Sequence, residues 1–374
     1  MMHVATALSM AALLQGGLFI RPETAAPTVT REAVAAEQQA QLDYLFEVAV
    51  AEQQRLDDVM AKLFRANADL CPTQRLRLGL EAGSIQDVPA QFRPSAASRL
   101  KATDRLTVLA LPASGPAAQA GIKVGDEIVS LDGAPVSYGA KAAERWTKQA
   151  AATLARKPAS IALDIRREGR PMTFQITPAA WCDYQVETDT LSTEPNAFAD
   201  GKRIVVNRAI MKLASTESEL ALVVAHELAH NTRQHPQSAK KNANTAAMGG
   251  LMVDLLGAVA GVDTGGYFTS AAARRGAAVA SPEFETEADY VGMYFLARAG
   301  YPMAGVETFW RKMAVEAPEA IFVRSSHPPT ADRFVMIGAA RTEIEAKRAA
   351  RQALVPNEKA APAPKANSST RPRR

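Results

Sequence analysis

From Arg31 to Ala68 apolar residues recur at three- and four-residue steps: Leu42, Leu45, Phe46, Ala49, Leu56, Val59, Met60, Leu63 and Phe64. Gln, Glu, Asp and Arg fill the opposite face. That period predicts one long amphipathic helix, a packing or dimerising element. From roughly Cys71 to Ala180 the pattern shortens to strand-like runs punctuated by glycine. It predicts strands at Leu106–Leu111, Glu127–Leu131, Ser160–Arg166 and Met172–Ile176, a short helix at Pro116–Ala120 ended by Gly121, and a tight turn at Asp132–Gly133. Beyond Trp181 the helical period returns. A turn at Asp200–Gly201 leads into a strand at Arg203–Asn207. Thr216 and Glu219 then stand at capping-box spacing before an apolar run that Pro236 is expected to close. Ala246–Gly266 is apolar and glycine-rich, interrupted by Asp254, and reads as a buried helix followed by a loop. A further helix is expected from Ser281 (N-cap) and Pro282 (first turn) to a stop at Gly300 and Pro302.

The length of 374 residues and an apolar fraction of 47% provide for two packed domains with extra segments. Five basic residues and one acid between Pro356 and Arg374 account for the whole net charge of +4. The body is therefore formally neutral, which argues against nucleic acid as a partner. The tail, rich in Pro, Ala, Lys and Ser, is expected to be disordered. The apolar run Val4–Ile20, followed by small residues up to Pro27, resembles a secretory signal peptide and implies an exported, periplasmic or envelope protein. The alternative is a membrane anchor, for which the run is short; membrane contact is not required by anything else in the chain. Cys71 and Cys182 bracket the β-rich segment; they are either a bridge that staples its two ends or two buried thiols. The resulting divisions are 1–26 signal segment, 27–70 helix, 71–180 β-rich domain, 181–354 chemical domain and 355–374 tail.

The chemistry is concentrated in His226-Glu227-Leu228-Ala229-His230. Residues four apart share a helix face, so the two imidazoles can grip one zinc ion, with Glu227 beside them as candidate general base. A catalytic zinc takes a third protein ligand. Arg233 and Pro236 stand where a metzincin needs glycine and histidine, and no glutamate occurs between His230 and Pro282. The next are Glu283, Glu285 and Glu287. Glu285 and Asp289 lie four apart, so Glu285 can complete the ligand set while Asp289 accepts a hydrogen bond from a ligand imidazole. Glu283 and Glu287 share that spacing without such a division of labour. His235, five residues past the second ligand, is expected to be a partly exposed helix-end histidine.

Two resemblances follow. Ser114-Gly-Pro-Ala-Ala-x-Ala-Gly121, Gly125-Asp126-x-Ile128 and Leu131-Asp-Gly133 resemble a bacterial PDZ domain. That likeness implies an extended peptide ligand, with Leu78-Gly79-Leu80 as the match to the carboxylate-binding loop; a PDZ unit that serves only as a spacer is the alternative. His226–His230 followed by Glu285-x-x-Ala-Asp289 resembles the soluble HtpX and CAAX-prenyl-protease group of gluzincins, together with Asn196-Ala197-Phe198, Gly292, Ser326-His327-Pro328 and Arg333. This likeness implies an α+β fold: a mainly helical zincin-type peptidase domain with a small sheet, preceded by the PDZ domain and the long helix. It implies one zinc per chain, substrate lying along Asn196, Ala197 and Phe198, His327 near the metal as oxyanion donor or reversible plug, and Arg333 holding that loop or the Glu285 helix. The implied activity is a zinc metalloendopeptidase acting on unfolded or misassembled envelope proteins. A chaperone-like binding protein with a latent peptidase site is the second reading.

Overall fold

The computed structural model describes residues 27–189, 192, 195–259, 282–316 and 331–359. The apolar N-terminal run, Ser281 and His327 lie outside them. Helix α1 spans Arg31–Ala66, its N-terminus capped by the Thr30 hydroxyl. Strand β1 (Gln74–Arg77) follows, then β2 (Glu81–Gly83), α2 (Arg93–Leu100), β3 (Thr107–Ala110) and α3 (Pro116–Gln119). Strands β4 (Glu127–Leu131) and β5 (Ala134–Pro135), helix α4 (Ala142–Ala155) and strands β6 (Ile161–Arg167) and β7 (Arg170–Ile176) complete the β-rich unit. Strands β8 (Ala179–Cys182) and β9 (Gln185–Asp189) lead out of it, followed by β10 (Ala197–Ala199) and β11 (Arg203–Asn207). Helices α5 (Arg208–Leu213), α6 (Glu217–Thr232), α7 (His235–Val259), α8 (Pro282–Arg298), α9 (Thr308–Glu316) and α10 (Ala331–Ala349) form the rest of the described chain. The mixture is α+β, and α1, α3, β3, β4, β6, β7, β11, α6 and α8 fall within a few residues of where the sequence pattern places them.

The β-rich unit is an antiparallel sheet in the order β2-β3-β4-β6-β7, with β5 paired to β4. Leu106, Val108, Ile128, Leu131, Leu163 and Trp146 fill its core. At its base β1 pairs with β8, so the segment enters and leaves side by side. Cys71 and Cys182 are bridged next to that pair, which resolves the alternative left by the sequence. Closing a loop with a sequence separation of 111 is worth about 4–5 kcal/mol in the chain-entropy account.

The second core joins α6, α8 and α10 with the C-terminal half of α1, where Leu56, Val59, Leu63 and Phe64 are fully buried. The N-terminal half of α1 packs instead against Phe92, Ala96 and Leu100 through Phe46. Helix α1 is thus a strut between the two units. Arg55 ties it to the second core through the carbonyls of Met211 and Ala214, and Asp58 ties it to the β-rich side by accepting from the Ala113 amide at 2.6 Å.

Three sequence expectations need correcting. Pro236 does not close α6. The chain turns at Gln234, whose φ is +57°, and Pro236 sits in the first turn of α7, where its missing N–H costs nothing. The apolar stretch from Ala246 does continue as helix α7 to Val259, but Met248 and Met252 on it stand exposed rather than buried; the loop expected up to Gly266 lies outside the described residues. Residues expected to begin a loose tail are tied down: Asn357 donates its amide to the Tyr290 hydroxyl at 2.9 Å, and Glu358 pairs with Arg233 at 2.9 Å.

Candidate metal centre

Helix α6 begins at the expected capping box. Thr216 accepts from the Glu219 amide and Glu219 returns a carboxylate to the cap. Every residue from Glu219 to Asn231 is buried, so the helix is a central rod. Helix α8 crosses it at Gly292, where an added Cβ would lie 3.2 Å from the His226 nitrogen. That closeness brings the two charged faces together inside an apolar core.

His226, His230 and Glu285 converge there, with one donor atom from each within 4.8 Å of the others. The two Nε2 atoms are 3.1 Å apart. Glu285 places one oxygen 3.3 Å from His226 Nε2 and the other 3.3 Å from His230 Nε2. Bonds of about 2.0–2.1 Å at tetrahedral angles require donors about 3.3–3.4 Å apart. The spacing and the N,N,O donor set therefore fit a zinc-type ion. Glu227, 2% exposed, is the neighbour of both imidazoles along the helix.

Asp289 lies below this cluster and is fully buried. Its Oδ1 is 3.0 Å from His226 Nδ1. Both its oxygens also accept from Arg333, at 2.7 Å each. Arg333 therefore sits beneath the ligand residues, on α10, and its Nη1 is 3.6 Å from Glu285. Trp310 on α9 completes the floor, with the Arg333 guanidinium 4.1 Å above its ring and His226 edge-on at 5.5 Å. Burial works to protonate Asp289, but the Arg333 charge and its hydrogen bonds prevail and hold the carboxyl below its usual range. Burial and Arg333 disfavour the charged form of His226, yet hydrogen bonds to Asp289 and Glu285 outweigh them and raise it to about 9. Burial lowers His230 to about 4.

His235 does not take the expected exposed position. It is 2% exposed, with Nδ1 3.0 Å from His230 Nδ1 and Nε2 3.2 Å from Glu287. The sequence signal was present, a histidine five residues past the second ligand and a glutamate two past Glu285, but nothing local joined them. Trp310 carried no signal of its own.

Asn196 immediately precedes β10, and Ala197 and Phe198 begin it; among the described residues the strand pairs with β11 at one edge of a three-stranded sheet. Ala197 is buried and Phe198 is exposed. Asn231 of α6 accepts from the Gly201 amide at 2.7 Å and donates to the Arg203 carbonyl at 3.1 Å. The edge strand is thus pinned to the helix that carries the imidazoles. Leu78, Gly79 and Leu80 belong to the other unit, where Leu78 is core and its carbonyl accepts from the Ala117 amide. Gly79, at φ +72°, has Pro116 and Gly115 within 2.9 Å of where a Cβ would stand, so only glycine fits.

Residues 164–340 match the model of peptidase family M48. Mitochondrial metalloendopeptidase OMA1 of Schizosaccharomyces pombe is 33% identical over 159 residues, 41% of this chain and 46% of that protein. The β-barrel assembly-enhancing protease of Escherichia coli is 32% identical over 146 residues, 36% of this chain and 28% of that one. The chain thus spans less than half the length of these relatives. Among solved structures, the HtrA-type protease AlgW with a decapeptide is 24% identical over 29% of this chain and 30% of that chain, at a TM-score of 0.22. The HtrA3 PDZ domain bound to a phage-derived ligand is 20% identical over 29% of this chain and 88% of that one, at 0.21. The paired imidazoles and the glutamate that meets them lie within the stretch that matches the model of peptidase family M48.

Proposed function

We propose that the chain is a zinc-dependent metalloendopeptidase that hydrolyses peptide bonds of unfolded or misassembled envelope proteins. The observation that carries this is the mutual spacing of the His226, His230 and Glu285 donors, 3.1 to 3.3 Å. A zinc ion bound by those three residues would supply Lewis acidity toward a scissile carbonyl and an attacking water. Glu227, beside the ligands, would accept a proton from the attacking water and pass it to the leaving amine. Asp289 and Arg333 hold the His226 ring. Substrate would lie extended along the side of β10 that has no strand partner among the described residues and add a strand through backbone hydrogen bonds.

The β-rich unit would recruit or gate substrate. Strand β2 lies at an edge of its sheet, preceded by the Leu78-Gly79-Leu80 loop, which suits addition of an extended peptide. Export to the envelope accords with the apolar N-terminal run and the bridged cysteines. No helix among the described residues is long and apolar enough to cross a membrane.

The test is metal content and proteolysis of the purified chain. The parent is expected to carry one zinc and to cleave an unfolded casein in a chelator-sensitive manner. Glu227→Gln should keep the zinc and lose cleavage. Cleavage by Glu227→Gln at the parent rate would remove Glu227 from the mechanism, and a zinc-free parent that does not take up added zinc would remove the enzyme.

A further inference from the structure

We propose that His235, backed by Glu287, is a positioning residue that fixes His230 in the one tautomer able to bind a cation. The inference rests on the metal reading above and extends it to residues outside the ligand set.

A neutral imidazole carries one proton, and a metal needs the bare nitrogen. For His230 the nitrogen facing His226 and Glu285 is Nε2, so the proton belongs on Nδ1. Nδ1 faces His235 Nδ1 at 3.0 Å, a distance at which one hydrogen lies between two ring nitrogens. Which ring owns it is decided one step further out. Glu287 stands 3.2 Å from His235 Nε2 and, as a carboxylate, only accepts. With a single proton on the His235 ring, that proton goes to Nε2 and leaves Nδ1 bare. His230 must then donate from Nδ1, and its Nε2 lone pair points at the cluster.

The geometry leaves His235 little other freedom. Its ring stacks on Phe284 at 4.4 Å with a 9° tilt and meets the His230 ring edge-on at 4.9 Å. It is not placed as a further ligand, because its near nitrogen addresses the far side of the His230 ring. The left-handed turn at Gln234 folds the start of α7 back under α6 and delivers the side chain there. His226 has its own partner in Asp289, so each imidazole is oriented by a separate acceptor.

The experiment measures zinc affinity of the full chain by competition with a chromophoric chelator, alongside circular dichroism. His235→Phe keeps the stack on Phe284 and removes the acceptor; it should bind zinc about 10–100-fold more weakly than the parent while remaining folded. His235→Asn puts an amide oxygen near the former Nδ1 and should recover most of that loss, which a purely packing role would not. Parent-like affinity in folded His235→Phe overturns the proposal, as does His235→Asn binding no better than His235→Phe. Should His235→Phe fail to fold, Glu287→Ala, a change at a half-exposed site, decides: severalfold weaker zinc supports the relay and unchanged affinity refutes it. A parent that binds no zinc refutes the metal reading itself.

Discussion

Asp289 and Arg333, 44 positions apart, share a two-pronged ion pair at 2.7 Å in the fully buried floor beneath His226. The carboxylate also faces His226 Nδ1 at 3.0 Å, so it serves a structural cation and a ligand imidazole together. Such a group has two separable roles. Asp289→Asn keeps an acceptor for His226 but turns a donor toward Arg333. It should weaken zinc binding by about 10–100-fold, measured by chelator competition. Arg333→Met strands the buried carboxylate and should cost about 3–5 kcal/mol in urea denaturation. If Arg333→Met denatures at the parent midpoint, the pair does not hold the floor.

Gly292 sets the distance between the two helices that carry the ligands. A Cβ there would meet His226 N at 3.2 Å and Ala225 C at 3.3 Å, both backbone atoms that cannot swing aside. Gly292→Val should push α8 off α6 and displace Glu285. A misplacement on the scale of 1 Å is expected to reduce turnover by about a hundredfold, with far-UV circular dichroism retained. Turnover at the parent level would show that the helices tolerate a wider crossing.

Asp57 on α1 is 5% exposed and accepts from Gln53 at 2.8 Å. Burial and then repulsion from Glu81 raise its pKa from 3.8 to about 7, with Asp58 adding to the rise. The folded chain therefore binds this proton more tightly than the unfolded chain. Stability from the group is full below pH 4 and is lost as pH rises from about 4 through 7, by at most roughly 4 kcal/mol. Asp57→Asn should leave the thermal midpoint near that of the parent at pH 4.5 and raise it at pH 8. An equal change at both values would contradict the assignment.

The bridge between Cys71 and Cys182 closes the β-rich unit at its base. The double variant Cys71→Ser, Cys182→Ser should lose about 4–5 kcal/mol by loop-closure entropy. Thiol titration of the unreduced, denatured parent is expected to find no free thiol. Two titrated thiols per chain would rule the bridge out.

Much of the site could be read along the chain, because its parts are helical repeats of short range. His226 and His230 share a face by virtue of their spacing alone, and the Thr216–Glu219 capping box forms where the residues stand. The same holds for Glu285 and Asp289, and for strands β4 and β11, whose bounds match those expected. These features follow from backbone dihedrals and hydrogen bonds a few residues apart, which side-chain type largely dictates.

What packing alone decided is of another kind. Nothing near His235 in sequence says that a left-handed turn at Gln234 will bury it against His230, or that Glu287 will meet it from another helix. A histidine suits the C-terminal end of a helix, which is why an exposed helix end is expected for it, whereas His235 and Pro236 open α7. The Trp310 ring beneath Arg333, the burial of Asp57 and the pairing of the two cysteines likewise join residues far apart in the chain. A sequence fixes the face a residue occupies on its own element; the partner across that face depends on how separate elements dock, where volume and buried charge across the whole core select the arrangement.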